Sequence, residues 1–330
     1  MTASGHRYHQ VYIHHWDALC AAGDAVSTWD AWCHGRVCLE QDEAYGWVGR
    51  APVTTTEQRL LALMRHAAAK PIEHLTSSEP FLALAASKGD TGTLLRALAP
   101  EDLLPALPGG LNAAIARDQG WSGYREAAPV AACSTGLYAL LAAADALEWG
   151  HAKEALAGTA DASLQALLLA GFDRLGVITR HQPSAFTGAG TGFAPGEGAA
   201  AFALATTPGP WQLLGGIRCG DASHPTRCQD PAVLLHCLST LWDLCPKPDL
   251  IVAHATGTKV GDAYECAGLD AGPWRTAERM VLKPLIGHCL GASSSVELAA
   301  ALHAPQRRIW KLGLGFGGHM AALAIQATDN

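Results

Sequence analysis

The sequence predicts an α/β protein in which helices are layered on sheets. Strand-like apolar runs alternate with helical runs along both halves of the chain. Small residues are abundant, with 35 glycines in 330 residues, which suits close packing of helix on sheet. At 49% hydrophobic and 16% charged residues, there is enough apolar material for one large domain or two packed halves.

In order, Val11-Tyr12-Ile13 reads as a first strand within a polar opening punctuated by Trp16, Trp29, Trp32 and Trp47, which are assigned to packing. His14 and His15 are adjacent, so on a strand they point to opposite sides and do not share a metal. Thr56 to Ala69 has apolar residues at helical spacing. Phe81 to Ala86 is a buried strand bounded by Pro80 and Gly89. Glu101 to Gln119 is helical with a break at Pro108-Gly109-Gly110. Ala127 to Val130 is strand or loop, and Leu137 to Leu147 is a helix ending near Gly150. Glu154 to Asp161 is the next strand, Leu164 to Phe172 a helix, and Ala199 to Leu204 a strand. Thr206 to Pro210 divides the chain into halves at 1–208 and 209–330. The second half then runs strand (Gln212–Cys219), helix (Val233–Leu244), strand (Leu250–Ala253), a helix from near Ala263, and a closing strand (Ala321–Ile325).

Several functions are disfavoured. A net charge of −7 argues against nucleic acid as the main partner, because phosphate binding needs a basic face. The apolar run after Cys133 carries Ser134, Thr135 and Asp145, so it is a core helix and no membrane span. Met1 to Gln10 is polar and unlike a signal segment, and ten cysteines then point to reduced thiols in the cytoplasm. The cysteine spacings give no metal site. Gly188-x-Gly190-x-Gly192 is followed by Phe193-Ala194-Pro195 and a strand, where a dinucleotide fingerprint requires a helix.

Three chemical features remain. Ala131-Ala132-Cys133-Ser134-Thr135-Gly136 puts a cysteine at the start of a buried helix, where free N–H groups and the helix dipole favour a thiolate nucleophile. A strand at Leu250 to Ala253 delivers His254 and then Ala255-Thr256-Gly257-Thr258. Lys283 precedes a second histidine, His288, by five residues, with Glu297 on the helix beyond. One such site alone is usually structural; three, each flanked by small residues that let a substrate approach, indicate catalysis.

This ordered set resembles the β-ketoacyl synthases, the condensing enzymes of the thiolase superfamily. Ala132 to Gly136 is similar to the family's nucleophile motif. Ala157 to Ala162, Gly196-Glu197-Gly198-Ala199-Ala200, Asp221-Ala222-Ser223-His224-Pro225-Thr226 and the His254 loop follow, with Asp262 and Glu265 behind it. Lys283 to Glu297 and Gly315-Phe316-Gly317-Gly318 complete it, and the resemblance spans roughly residues 80–330. It implies a thiolase-like fold of two similar βαβα halves in α-β-α-β-α layers. It further implies an acyltransferase of the 3-oxoacyl-carrier-protein synthase type, acting in fatty-acid, polyketide or polyene biosynthesis. Cys133 would be the nucleophile, His254 and His288 would support decarboxylation, and Lys283 would pair with Glu297. The N–H groups of Cys133 and Phe316 would form the oxyanion hole, with Phe316 also a gate. Thr256, Thr258, Gly317 and Gly318 would bind substrate. No resident cofactor is implied, since phosphopantetheine arrives on the acyl carrier protein. A homodimer, or a heterodimer with a related subunit, is implied as well.

The chain departs from the family in places. Ala255 stands where the family has glycine. Ala185 to Phe193 lacks the charges of the family's corresponding loop, and Gly317-Gly318 continues into His319 and Met320. His319 is expected at the surface or behind the site. Arg174 and Arg180 are weak candidates for a carrier-docking patch. The chain is short for the family, so a second reading is a chain-length-setting partner subunit; such proteins typically lose the nucleophile, which this chain keeps. Thiolase chemistry needs a second cysteine near the C-terminus, and none follows Cys289.

Overall fold

Two sets of five strands, built on one plan, carry the chain. The computed structural model describes residues 5–96, 99, 103, 104 and 106–329. The first half comprises β1 (His6–Arg7), β2 (Tyr12–Leu19), α1 (Ala25–Cys33), the hairpin β3 (Glu40–Asp42) and β4 (Gly46–Val48), and α2 (Arg59–Glu73). It continues with β5 (Phe81–Ala85), α3 (Thr91–Leu94), α4 (Gly110–Gln119), β6 (Arg125–Glu126), α5 (Thr135–Glu148), β7 (Glu154–Asp161), α6 (Ala166–Arg174) and β8 (Gly198–Ala205). The second half has β9 (Trp211–Gly220), α7 (Pro231–Leu244), β10 (Leu250–Val252), α8 (Lys259–Ala271) and β11 (Glu278–Met280). It ends with α9 (Lys283–Ile286), α10 (Ser293–Ala301), β12 (Arg308–Leu314) and β13 (His319–Ala327).

Strand order is β6-β5-β7-β8-β2 in the first half and β11-β10-β12-β13-β9 in the second. Relabelled within each half, the two orders are the same. In both, the three strands at the outer edge are parallel, and the remaining two, the last and first of those five in chain order, follow antiparallel towards the middle of the sheet. A short antiparallel contact, Tyr12↔Gln212 and Ile13↔Trp211, joins the halves into one sheet. The strand β1 adds to β9, so residues 6–7 pair with the second half.

The apolar pattern explains the layering. Along β8, Ala200, Phe202 and Leu204 enter the central core, while Ala199 and Ala201 face α2. Along β13, Ala321, Leu323 and Ile325 face the central core, while Met320, Ala322 and Ala324 face α7 and α8. Strands with period-two side chains buried on both faces read as continuous apolar runs. Helices α5 and α10 fill the centre between the sheets, α2 and α4 cover one outer face, and α7 and α8 the other. These are the expected α-β-α-β-α layers. Close approach of α5 to α10 requires Gly136, where a Cβ would lie 2.8 Å from Ser294 Oγ. No helix among the described residues is long and apolar enough to cross a membrane.

Some elements differ from expectation. The segment expected to be helical over Glu101–Gln119 with a break at Pro108-Gly109-Gly110 is helical at Leu103, Leu104 and Ala106, turns at 107–109 and resumes as α4 at Gly110; residues 101, 102 and 105 lie outside the described residues. Helix α8 starts at Lys259, where its first turn follows directly from the Thr258 loop, rather than near Ala263. Ala127 to Val130 is loop. The strands β11 and β12 and the helix α1 had no clear period in the sequence; α1 is fixed instead by Asp24, whose carboxylate accepts from Ser27 N at 2.8 Å.

Candidate active site

Cys133 is held by a single 3₁₀ turn, Ala132–Ser134, between the loop after β6 and α5. The sequence placed it at the helix tip itself; the structure inserts this turn ahead of the helix. Ala132 is left-handed at φ 47°, a strained conformation for a residue with a Cβ. Thr135 locks the bend: its hydroxyl donates to Ala132 O at 2.7 Å and accepts from Ala131 N at 3.0 Å. Cys133 is 9% exposed and lines a cleft of about 400 Å³. His254, His288, Thr256, Thr258 and Phe316 line the same cleft.

The expected depression of the thiol by the helix is outweighed. Burial pushes Cys133 up, against the positive charges of Lys88 and Lys283 and the Phe316 N–H, with Asp161 adding to the rise. At rest the sulfur is therefore held nearer to thiol than to thiolate.

The two imidazoles stand with ring centroids 5.7 Å apart at 83°. His254 follows β10 because its N–H and that of Ala255 donate to Glu265 at 2.6 and 2.7 Å. The loop then turns at Ala255, at φ 45°. The glycine-to-alanine departure here is thus more than a change of size: it places a Cβ in the left-handed region. Asp262 closes the loop, accepting from Gly257 N at 2.9 Å and Phe186 N at 2.7 Å. This is how the uncharged 185–193 segment is anchored, with Thr191 also bridging to Thr258. His288 Nδ1 lies 2.7 Å from Ser293 Oγ, and its ring meets the edge of Phe193 at 4.9 Å. If Ser293 donates, Nε2 carries the ring proton and is free to donate into the cleft. Both histidines lie well below the usual imidazole range, first through burial and then through Lys283. They are neutral donors at physiological pH.

Lys283 pairs with Glu297 at 2.7 Å, as the resemblance implied, and its ammonium also donates to His254 O. A second lysine was not foreseen. Lys311 Nζ reaches the other Glu297 oxygen at 2.6 Å and Ala253 O at 3.2 Å. All three side chains are buried, and burial lowers Lys311 to about 8. The available signal was a lysine inside the apolar run Ile309-Trp310-Lys311-Leu312. The sequence also missed Ser293, Lys88 and the cleft-lining Arg227 and Lys259.

Thr256 and Thr258 stand with hydroxyls 2.9 Å apart on the cleft wall. Gly317 and Gly318 turn with φ 82° and 74°, and Gly317 N donates to Pro225 O while Gly318 O accepts from Asp221 N, both at 2.9 Å. His319 is partly buried at the edge of Tyr138 and is not among the cleft residues. Arg174 and Arg180 are both exposed, and Arg180 pairs with Asp173 at 2.7 Å. The motif carboxylate Glu197 is an architectural group: it pairs with buried Arg59 and accepts from Ala51 N.

Known proteins place this geometry. The family model "Beta-ketoacyl synthase, N-terminal domain" matches residues 81–208, and "Beta-ketoacyl synthase, C-terminal domain" matches 230–315. Among curated proteins, the actinorhodin polyketide putative beta-ketoacyl synthase 1 of Streptomyces coelicolor is 28% identical over 250 residues, covering 60% of this chain and 54% of its own. The mitochondrial 3-oxoacyl-[acyl-carrier-protein] synthase of Arabidopsis thaliana is 30% identical over 228 residues, covering 62% and 49%. The chain thus spans about half the length of the curated relatives it matches. Among solved structures, a type II polyketide ketosynthase in complex with its acyl-carrier protein superposes with a TM-score of 0.88 at 18% identity, over 98% of this chain and 100% of that one. The ishigamide ketosynthase/chain length factor gives 0.81 at 20%, over 98% and 100%. At these identities the structures establish the fold, which is thiolase-like. By its matched domains, its fold and its ordered motifs, this chain belongs to the β-ketoacyl synthase family.

Proposed function

We propose that the protein is a β-ketoacyl-acyl-carrier-protein synthase. The observation that carries this reading is one cleft lined at once by Cys133, His254 and His288. Cys133 sulfur attacks the carbonyl of an acyl thioester, and the thiol of the carrier arm leaves. The Cys133 and Phe316 N–H groups receive the developing oxyanion. Malonyl thioester then loses carbon dioxide, and its enolate oxygen accepts hydrogen bonds from the neutral imidazoles of His254 and His288. The enolate carbon attacks the acyl group on Cys133, releasing a 3-oxoacyl thioester and the cysteine sulfur. Lys283, Lys311 and Glu297 hold the His254 loop in place from behind. Thr256 and Thr258 bind the phosphopantetheine arm, and Arg227 and Lys259 give the cleft local positive charge despite the net charge of −7. The partners are an acyl carrier protein and a second subunit, of like or related chain.

A second reading is a chain-length-setting or otherwise dependent subunit. The altered 185–193 segment favours it; retention of the whole cysteine–histidine set speaks against it. The test is incubation with acyl-carrier-protein thioester and a search for mass added at Cys133, followed by malonyl-carrier protein. Acylation and a 3-oxoacyl product support the synthase. Acylation without product, restored by a companion ketosynthase, supports the dependent subunit. No acylation in either setting overturns the nucleophile assignment.

A further inference from the structure

Behind the nucleophile turn lies a charged cluster that none of the roles above uses. The turn after β5 presents Ser87 and Lys88. Lys88 Nζ donates to Ser87 Oγ at 3.3 Å, and Ser87 Oγ donates to Asp161 Oδ1 at 3.0 Å. Asp161, at the end of β7, is 2% exposed, and its Oδ2 has no hydrogen-bond partner among the described residues. That oxygen faces Gly291, where a Cβ would stand 2.6 Å from Oδ2, 2.8 Å from Ser87 Cβ and 3.1 Å from the carbonyl of Ala132. The cluster therefore abuts the residue that precedes Cys133. From the other side, the Lys88 ammonium lies 5.5 Å from the centroid of Phe172, which lines the cleft together with Cys133.

We propose that Lys88 is a positioning residue for the nucleophile: its ammonium, steered by Ser87, Asp161 and the Phe172 ring, stabilises negative charge on the Cys133 sulfur. The inference rests on the reading of Cys133 as the nucleophile. Its physical basis is that a buried thiolate needs nearby positive charge, and that a lysine held over an aromatic face keeps its charge at a fixed place. The charged groups acting on Cys133 are Lys88, Lys283 and Asp161, and the two cleft histidines are neutral. Of the two lysines, Lys88 opposes the rise of the thiol more strongly. Asp161 acts in the opposite sense; burial raises its own carboxyl to about 6, so it is ionised where a cysteine titrates.

The experiment is the pH dependence of iodoacetamide alkylation at Cys133, followed by peptide mass in the full-length protein without any turnover. Cys228 lines the same cleft with its thiol pushed up to about 12, first by burial, and serves as the internal control. In K88M the midpoint for Cys133 is expected to rise by on the order of one pH unit, or roughly tenfold slower alkylation below the midpoint. K88R is expected to restore it. An unchanged midpoint in K88M, or a rise that K88R does not rescue, overturns the proposal. Should K88M fail to fold, K88Q, which keeps a long polar side chain without the charge, is read in its place, and an unchanged midpoint there overturns the proposal equally. If Cys133 of the wild type reacts no faster than Cys228, the nucleophile reading falls and the Lys88 assignment with it.

Discussion

The turn at Ala132–Ser134 and the turn at Leu290–Ala292 are counterparts in the two halves. Each is a 3₁₀ turn leading into a buried central helix, α5 and α10. Each begins on a non-glycine residue at φ 47°, Ala132 and Leu290. The first presents Cys133 at its middle position; the second presents Gly291 and is preceded by His288. Connections between the fourth and fifth strands differ as well. The first half spends residues 162–197 there, with α6 and Phe172 on the cleft, whereas the second uses only residues 315–318. The repeated scaffold carries a cysteine in one turn only, and the equivalent place opposite is kept empty of side chain so that Asp161 and Ser87 pack beneath the sulfur's turn. Chemistry is thus set by what each turn presents, while the turns themselves are set by the shared frame.

The sharpest break in this asymmetry is to remove the sulfur. Cys133→Ala is expected to abolish the acyl adduct, read by intact mass; a persisting adduct would move the nucleophile elsewhere. Next in size is Glu297→Gln, which leaves Lys283 and Lys311 buried with their shared carboxylate gone. Breaking a buried ion pair in this way costs about 3–5 kcal/mol, read from urea unfolding, and a loss below about 1 kcal/mol would show that one lysine is neutral. His254→Ala or His288→Ala is expected to slow condensation by about 10²–10³ while sparing acylation, measured by single-turnover product formation. Equal loss in both steps would assign the histidines to the cysteine instead. Gly291→Ala keeps the sulfur but fills the counterpart position, and overpacking of this kind costs about 1–3 kcal/mol; an unaffected urea midpoint would mean the second turn is not tightly packed.

The smallest effect concerns acid. Both histidines are held neutral, well below the usual imidazole value of 6.5. As pH falls below 6.5 the unfolded chain takes up protons that the folded chain does not, so stability is lost on acidification. A His254→Gln or His288→Gln variant lacks one such group. It is expected to lose less stability than the wild type between about pH 6.5 and 5, and a steeper loss would show that the imidazole is charged in the folded protein.

Much of the site was legible in the sequence. Cys133, His254, Lys283, His288 and Glu297 are carried in short segments whose order and small flanking residues mark them. Strands such as β7 were readable because burial on both faces gives an unbroken apolar run from Ala155. What was not legible has physical reasons. The strand β11 is three residues long and includes Glu278 and Arg279, too short and polar for a period. Lys311 and Ser293 act through long-range contacts, to Glu297 and to His288, that no local pattern encodes. The plan shared by the halves is invisible as a repeat because it conserves strand order and turn geometry, and many apolar residues satisfy either.

By itself the sequence determined the layered α/β class, the central helix after Cys133 and which cysteine and histidines are the candidates for chemistry, because periodicity and residue chemistry are local properties. Only the tertiary structure decided that these side chains share one cleft, that burial leaves the histidines neutral and lifts the thiol, and that Lys88, Lys283 and Lys311 crowd behind them. Solvent exclusion and the distances between charges depend on segments far apart in the chain, and folding alone brings those together.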